Sequence, residues 1–350
     1  MKRLALVALS CLLLGCPSNG PAPKGSENVV IYCAADRELV QDILKDFEKT
    51  SGIRVDAKWD TEAAKTTGLA QEILAERARP RCDVFWDNEP LHVIRLADAG
   101  VLARLPDALF NHSGNAPRDP EARWIGFAAR TRVLIVNTAL VSSAVWPTSI
   151  RALADPRWKG RAGIANPLFG STQTHVAALF AKWGEKGGRD FLAALKANDV
   201  AVCAGNSDVP KRVASGELAL GVTDTDDAYE ALSDGKPVAI VFPDQEPGGL
   251  GTFFMPNALA IVASAPHPDT AAKLVAYLAS QAVEIELAKG AGQHIPLLGA
   301  TPAARPTWIP KDLAVMNVTL PEIAKANDAA RAAVRTVLLG KPADEPDENK

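Results

Sequence analysis

The chain lacks most of the features that announce a function through composition. Its 350 residues hold only five cysteines, too few for a disulfide scaffold. Lysine and arginine number 38 against 41 acidic residues, for a net charge of −3. With a pI near 6.0, this excludes the basic face that nucleic-acid phosphates require. No apolar run reaches the roughly 18 residues of a membrane span. There is no Gly-x-Ser-x-Gly elbow, no Gly-x-x-x-x-Gly-Lys loop and no histidine pair at zinc spacing. Gly248-Gly249-Leu250-Gly251 is a turn without the glycine order of a nucleotide loop. The histidines (His92, His112, His175, His267, His294) are scattered singly and read as surface or capping residues. His175 alone invites attention, because it follows a polar helix start. Hydrolysis needs a nucleophile with a base in reach, and nothing suggests one, so an enzyme is not expected.

What is present is ordinary soluble protein. Hydrophobic residues make up 47% and charged residues 23%, and the mean hydropathy of +0.01 excludes disorder for the body. The length exceeds what one core fills, so two lobes are expected. The longest apolar run, Leu4 to Leu14, follows Lys2 and Arg3 and ends in Leu13-Leu14-Gly15-Cys16. A basic start and about a dozen apolar residues form a secretory signal, and its end resembles the lipobox of bacterial lipoproteins. That resemblance implies cleavage before Cys16, lipid on its thiol, and attachment to a membrane from the periplasm or cell surface. The Pro/Gly/Ser/Asn-rich stretch that follows reads as a tether. Cys33 and Cys82 would tempt as a disulfide outside the cytoplasm. If their strands are parallel neighbours ending level at Asp36 and Asn88, however, the cysteines are offset by about three residues. At about 3.3 Å each, that is beyond the roughly 7 Å limit between Cα atoms. No disulfide is expected.

Along the body, strand-like and helix-like patterns alternate. Val29–Cys33, Ile53–Trp59 and Asp83–Trp86 read as strands, with amphipathic helices between and a short helix over Leu91–Ala99. The alternation implies a largely parallel, doubly wound α/β sheet. Trp124–Asn137 has fourteen residues of strand character, long enough to cross between lobes, with Arg130 and Arg132 in its middle. A second α/β set follows: strand Ala162–Ala165, helix Thr172–Trp183, strand Val200–Val202, helix Val209–Ala214 and strand Ala219–Val222. Asn257–Ala263 reads as the return crossing and Thr270–Ala279 as a helix packing back on the first lobe. The organisation expected is a signal peptide over 1–15, a tether over 16–28, a first lobe over 29–128 completed by 257–300, and a second lobe over 129–256. A partly helical segment over 301–340 and a disordered acidic tail over 341–350 complete it.

Polar residues gather where such sheets bind ligands, beyond the carboxyl ends of strands. Asp36 follows the first strand, and Asp87-Asn88-Glu89 the third. Gly170-Ser171-Thr172-Gln173-Thr174 and Asn206-Ser207-Asp208 open helices of the second lobe, and Thr223-Asp224-Thr225-Asp226-Asp227 follows another strand. Helix capping explains Asp36, Ser171 and Ser207 equally well. It does not explain three carboxylates within four residues at 224–227, which repel one another unless a cation or a hydrogen-bond donor visits them.

Between about Val29 and Leu298 the chain resembles the bacterial extracellular solute-binding proteins related to the periplasmic ferric-ion-binding proteins. The likeness is carried by Ile31-Tyr32-Cys33-Ala34-Ala35-Asp36, Cys82-Asp83-Val84-Phe85-Trp86, Trp158-Lys159-Gly160-Arg161 and Asn166-Pro167-Leu168-Phe169-Gly170-Ser171-Thr172. Ala214-Ser215-Gly216-Glu217 and Ala265-Pro266-His267-Pro268 continue it. It implies a two-lobed periplasmic-binding-protein fold of type II, with two mixed sheets joined by crossing hinge strands. It also implies a monomer that closes on a solute and delivers it to the permease of an ABC importer.

Carried over by position, the family's first-strand ligand falls on Asp36, its acidic ligand near Asn88, and its adjacent tyrosines on Asp226 and Asp227. The chain has three tyrosines in all and no such pair. The polar helix start that seats the accompanying anion is retained in Ser171, Thr172 and Gln173. The resemblance thus implies no cofactor but a transported metal ion, ferric iron included, held with an anion by Asp36, Asp226 and Asp227. Carboxylates in place of phenolates suit Mg, Ca, Mn or ferric ions alike. Adjacent residues of a helix point about 100° apart, so Asp226 and Asp227 are not both expected on one ion. The alternative is a small polar organic solute (a phosphonate, sugar phosphate or amine), its anionic end on Ser171 and Thr172 and its donor on Asp224 or Asp226. Arg130 and Arg132, alternate residues of one strand, would either clamp an anion or form salt bridges between lobes. Trp86, Tyr32 and Phe253 read as core that a ligand could also touch. Asp87 completes the set of expected ligand-binding residues.

Overall fold

The computed structural model describes residues 27–60, 67–114, 116–299 and 305–343. The signal, Cys16 and all but the last two residues of the tether lie outside them, as does most of the tail. Among the described residues no helix is long and apolar enough to cross a membrane.

Two α/β sheets share one long strand. The first lobe is built by β1 (Asn28–Cys33), α1 (Arg37–Ser51), β2 (Arg54–Trp59), α2 (Thr67–Ala75), β3 (Val84–Asp87) and α3 (Pro90–Asp98). β4 (Trp124–Asn137) follows, as the uninterrupted strand character predicts. The second lobe adds β5 (Ala162–Ala165), α4 (Gly170–Ala197), β6 (Ala201–Cys203), α5 (Asp208–Ala214), β7 (Leu220–Asp224), α6 (Thr225–Ser233) and β8 (Val238–Val241). β9 (Phe254–Ile261), α7 (Pro268–Leu278), α8 (Gln281–Lys289) and α9 (Leu320–Ala333) close the chain. The strand order is β2-β1-β3-β9-β4-β7-β5-β6, with β8 on β4.

β1, β2 and β3 run parallel, as do β5, β6 and β7. β9 and β4 run antiparallel to their neighbours and to each other. β4 pairs with β9 over Trp124–Thr131 and then with β7 from Arg132 onward, so the change of partner falls between the two arginines. Both faces of each sheet are covered. Val29, Ile31 and Val84 pack under α1 and α7, Tyr32 and Phe85 under α2 and α3, and Val133, Ile135 and Val213 form a core beyond the crossing. Removing such side chains from water contributes roughly 1.5–3 kcal/mol each, and coverage on both faces is why these strands read as continuous apolar runs.

Two expectations need amendment. The helix expected over Thr172–Trp183 begins at Gly170 and continues to Ala197, its two parts joined at Gly184, whose φ of 71° is non-helical. The second crossing begins earlier than expected, at Phe254, because Met255 belongs to the core beside α4. The C-terminal helix α9 shares that core through Ile323, Ala330 and Ala333. Cys33, Cys82 and Cys203 are free and buried. Cys33 stands opposite Trp86 in the parallel pair, four residues beyond Cys82.

β4 is irregular between Phe127 and Arg130. There Ala128 adopts φ 40°, a conformation that a β-carbon disfavours. Its N–H donates to Glu284 Oε1 at 2.7 Å and its carbonyl accepts from Asn257 Nδ2. Glu284 is wholly buried and also receives the N–H groups of Leu297 and Leu298 at 2.9 and 2.6 Å. These bonds hold the bulge that aims the two arginines.

Candidate functional site

The carboxyl ends of β1, β3 and β7 and the start of α4 converge on the crossing strand. Arg132 and Asp224 stand directly opposite each other in the β4–β7 ladder, and Arg132 Nη1 lies 2.7 Å from Asp224 Oδ1. The same nitrogen donates to Ser171 Oγ and Asn206 Oδ1 at 3.0 and 2.9 Å, and Nη2 to Thr172 Oγ1 at 3.1 Å. Ser171 in turn donates to Asp224 Oδ2 at 2.8 Å. Arg132 is 0% exposed, so its charge is consumed inside the second lobe.

Arg130 reaches both lobes. Its Nη1 lies 3.2 Å from Asp226 Oδ2 and 3.5 Å from Asp224 Oδ2, and its Nη2 donates to the carbonyl of Asn88 in the first lobe. The salt bridges of both arginines stay within the second lobe, and Arg130 reaches the first lobe through its bond to the Asn88 carbonyl. Both are buried, as are Asp224, Asp226, Ser171, Thr172 and Asn88; the lobes are closed on this cluster. Burial alone would raise the Asp224 carboxyl, but Arg132 and Arg130 outweigh it and hold it below the usual carboxylate range. Burial raises Asp226, offset only in part by Arg130.

Asp224, Asp226 and Asp227 each bring a carboxylate oxygen within 4.8 Å of the other two. Asp226 and Asp227 are thus close enough to face one cation although they are neighbours at a helix start. Four buried polar atoms here have no hydrogen-bond partner, namely Arg130 Nε, Thr131 Oγ1, Arg132 Nε and Asp226 Oδ1. Such atoms are uncommon in native proteins and costly.

Capping explains Glu89, which accepts the Leu91 N–H at the start of α3, but not the other polar strand ends. Asp36 and Asp224 precede α1 and α6 without making a side-chain capping bond, Ser207 makes none either, and the residue before α4 is Phe169 rather than Ser171. Asp36 is half-buried, and its charge acts on Arg130 and Asp226. Two expected ligand residues are used elsewhere. Asp87 accepts the backbone N–H groups of Glu89 and Val93 at 3.3 and 3.0 Å. Gln173 gives its amide to α9, donating to Asn327 Oδ1 at 2.8 Å and accepting from Arg331 Nη1 at 3.0 Å. The aromatic candidates are core: Trp86 lies edge-on to Phe127 at 4.9 Å, Tyr32 reaches Glu76, and Phe253 stacks on His175 at 5.2 Å.

Three buried titratable groups lie near the cluster. Glu89, from the polar end of the third strand, reaches across the cleft, its Oε2 accepting from Thr174 Oγ1 at 2.6 Å while Oε1 lies 3.2 Å from His92 Nε2 one helical turn on. Burial raises Glu89 to about 7 and lowers His92 to about 3. The third is His294, also lowered to about 3, by burial and then by the Arg130 charge, and therefore neutral. The Glu89–Thr174 contact is the kind that only long-range pairing reveals.

With this geometry in place, comparison with known proteins is decisive. The sequence profile described as "Bacterial extracellular solute-binding protein" matches residues 42–317. The chain belongs to that family. It is thus a solute-binding protein that works outside the cytoplasm, not an enzyme. The Fe(3+)-binding periplasmic protein of Serratia marcescens is 31% identical over 317 residues, covering 89% of this chain and 90% of that one. Iron-bound HitA from Pseudomonas aeruginosa superposes with a TM-score of 0.78 at 26% identity, over 89% of this chain and 99% of that one. Apo ferric ion-binding protein A of Pasteurella haemolytica shares the fold at a TM-score of 0.77 and 22% identity, over 92% and 100% of the two chains. The solute-binding protein described here therefore has the two-lobed type II fold, with its buried carboxylate–arginine cluster between the lobes.

Proposed function

We propose that this protein captures a metal ion between its lobes, ferric iron foremost, and passes it to the permease of an ABC importer while tethered to the membrane by lipid on Cys16. The observation that carries the reading is Asp226 Oδ1, a buried acceptor with no partner, set beside Asp224 and Asp227 within 4.8 Å. A cation satisfies that oxygen and relieves the repulsion among the three carboxylates. Similarity to iron-binding relatives over nine-tenths of the chain points to the same cargo. Asp36 stands ready on the first-lobe side, and an accompanying anion would meet the start of α4 at Ser171 and Thr172.

The test is thermal. Metal-stripped protein should gain stability with ferric citrate, Mn2+ or Ca2+, offered with and without carbonate or phosphate. At a hundredfold excess over Kd the gain is about 2.7 kcal/mol, and Asp226→Ala should remove it. No shift with any cation would sink the reading. The anchor is checked separately: Cys16→Ser should move the protein from the membrane to the soluble fraction, and unchanged fractionation would count against it.

One observation favours a second cargo. Two guanidinium groups sit among the carboxylates, and a mixed-charge site also suits a solute carrying both an amine and a phosphonate or phosphate. A thermal screen of amines, phosphonates and sugar phosphates separates the two.

A further inference from the structure

α3 divides its contacts between the lobes. Val93 and Leu96 belong to the first-lobe core with Phe85. Leu91 is 2% exposed and belongs instead to the cluster of Val176 and Phe180 from α4 and Ile323 from α9. At about 100° per residue, position 91 points away from 93 and 96. Glu89 caps the same turn by accepting the Leu91 N–H at 3.0 Å, and the same oxygen accepts the Thr174 hydroxyl of α4 at 2.6 Å. Both Glu89 and Thr174 are buried. Next to them the Asn88 carbonyl accepts from Arg130 Nη2. One short stretch of the first lobe, 88–91, thus brings two hydrogen bonds and one apolar side chain to the opposite side of the cleft.

These contacts can part at little cost. Thr174 Oγ1 also lies 3.4 Å from the Gly170 carbonyl one turn back, so the hydroxyl keeps an acceptor when Glu89 withdraws. Glu89 keeps the Leu91 N–H of its own helix and regains water. Beside Leu91 the interface is not filled: α3 and α9 leave a cavity of about 830 Å3, lined among others by Leu91, Arg95, Leu320 and Ala324. Permanent interiors are close-packed, whereas a gap of this size suits surfaces that meet and separate.

We propose that Glu89, Leu91 and Thr174 form a latch that holds the lobes closed in the absence of cargo and gates both its entry and its release. They are positioning residues, which fix the closed arrangement in which Asp224 and Asp226 are buried. The latch goes beyond the metal reading and holds for any solute. A contact made equally with and without cargo does not shift the binding equilibrium; it slows both directions, because the latch must open for each.

Pulsed electron–electron resonance provides the test, with spin labels at Lys49→Cys in α1 and Lys211→Cys in α5, both exposed positions. The metal-stripped full chain is used, and its native Cys33, Cys82 and Cys203 are buried from the label. Wild type should give one short distance between the lobes. Thr174→Val removes the donor and keeps the shape; it should raise a longer component at least about tenfold, as expected for losing a hydrogen bond to a charged group. Leu91→Ala should raise the same component. Thr174→Ser restores the hydroxyl and should return the wild-type distances, which separates loss of the latch from misfolding. A long distance in cargo-free wild type, or equal distributions in wild type and Thr174→Val, would overturn the latch. With ferric citrate as cargo, Thr174→Val should take up and release iron about tenfold faster at unchanged Kd, and a weaker Kd at unchanged rates would also overturn it. Absence of any metal binding would refute the metal reading alone, since the distances are measured without cargo.

Discussion

Arg130→Ala sets stability against affinity. In the wild type the guanidinium is the internal counter-ion of Asp226 at 3.2 Å and of Asp224 at 3.5 Å. With an effective dielectric near 20, one such pair is worth about 5 kcal/mol before desolvation. Removing one partner of a buried pair costs about 3–5 kcal/mol, because the other charge is left uncompensated. For a chain of this size, with an unfolding entropy of about 2.1 cal/mol/K per residue, each kcal/mol moves Tm by about 1.4 °C. Arg130→Ala without ligand should therefore melt roughly 4–7 °C below wild type. The same change favours a cation, which no longer has to share Asp226 with a positive charge. Metal affinity should rise by about tenfold or more, equivalent to at least about 1.4 kcal/mol, and saturating metal should recover much of the lost Tm. Differential scanning fluorimetry with a metal titration reads both quantities. If the variant loses metal binding, or if its unliganded Tm stays within about 2 °C of wild type, then Arg130 is not the cargo's competitor and the reasoning is wrong.

Other consequences are simpler to check. His92 and His175 are pressed to about 3 by burial, below their unfolded value near 6.5. Their contribution is complete above pH 6.5 and is lost as pH falls towards 3, at about 1.4 kcal/mol per pH unit for each. His175→Gln should flatten the acid limb of urea-melt stability by about one proton, and an unchanged slope would refute this. Glu89 works in the opposite sense: its folded value of about 7 lies above the unfolded one, so its stability is present below about pH 4.5 and lost as pH rises to 7. Glu89→Gln, which keeps an acceptor for Thr174, should therefore lose stability more steeply on acidification between pH 7 and 4.5, and parallel curves would contradict the assignment. Gly251 has φ 79°, and a β-carbon there would meet the Val315 carbonyl carbon at 2.6 Å. Gly251→Ala should cost about 1–3 kcal/mol in chemical denaturation, and a neutral effect would show that the 315–316 segment yields freely.

The fold was legible because its signals are local. Fourteen consecutive strand-forming residues marked β4 to the residue, and polar clusters after apolar runs marked the strand ends. The pairings within the site were not legible. Arg132 meets Asp224 because β4 and β7 run antiparallel in one register, and a single-residue slip would turn the arginine to the other face. Ile295 meets the bulge of β4 through one bridge to Ala129, a contact between residues far apart in the chain. Gln173 looked like a ligand because it belongs to a polar helix start, but Asn327 and Arg331 of α9 claim its amide. Local pattern identifies which residues are polar at a strand end; only register and packing decide which of them face one another.

The arginines also change what binding must mean here. In a site made of carboxylates alone, a metal ion adds to an open cluster. Here Asp226 is already held by Arg130, which simultaneously holds the Asn88 carbonyl of the opposite lobe. On the proposed reading, a cation at the unpartnered Oδ1 of Asp226 would sit beside the Arg130 guanidinium on Oδ2, and any displacement of Arg130 would weaken a bond that spans the cleft. Arg132 cannot serve in this way, since four polar contacts fix it within the second lobe. The division of labour follows from where β4 changes partner: the arginine before the change reports to both lobes, and the one after it to the second lobe alone.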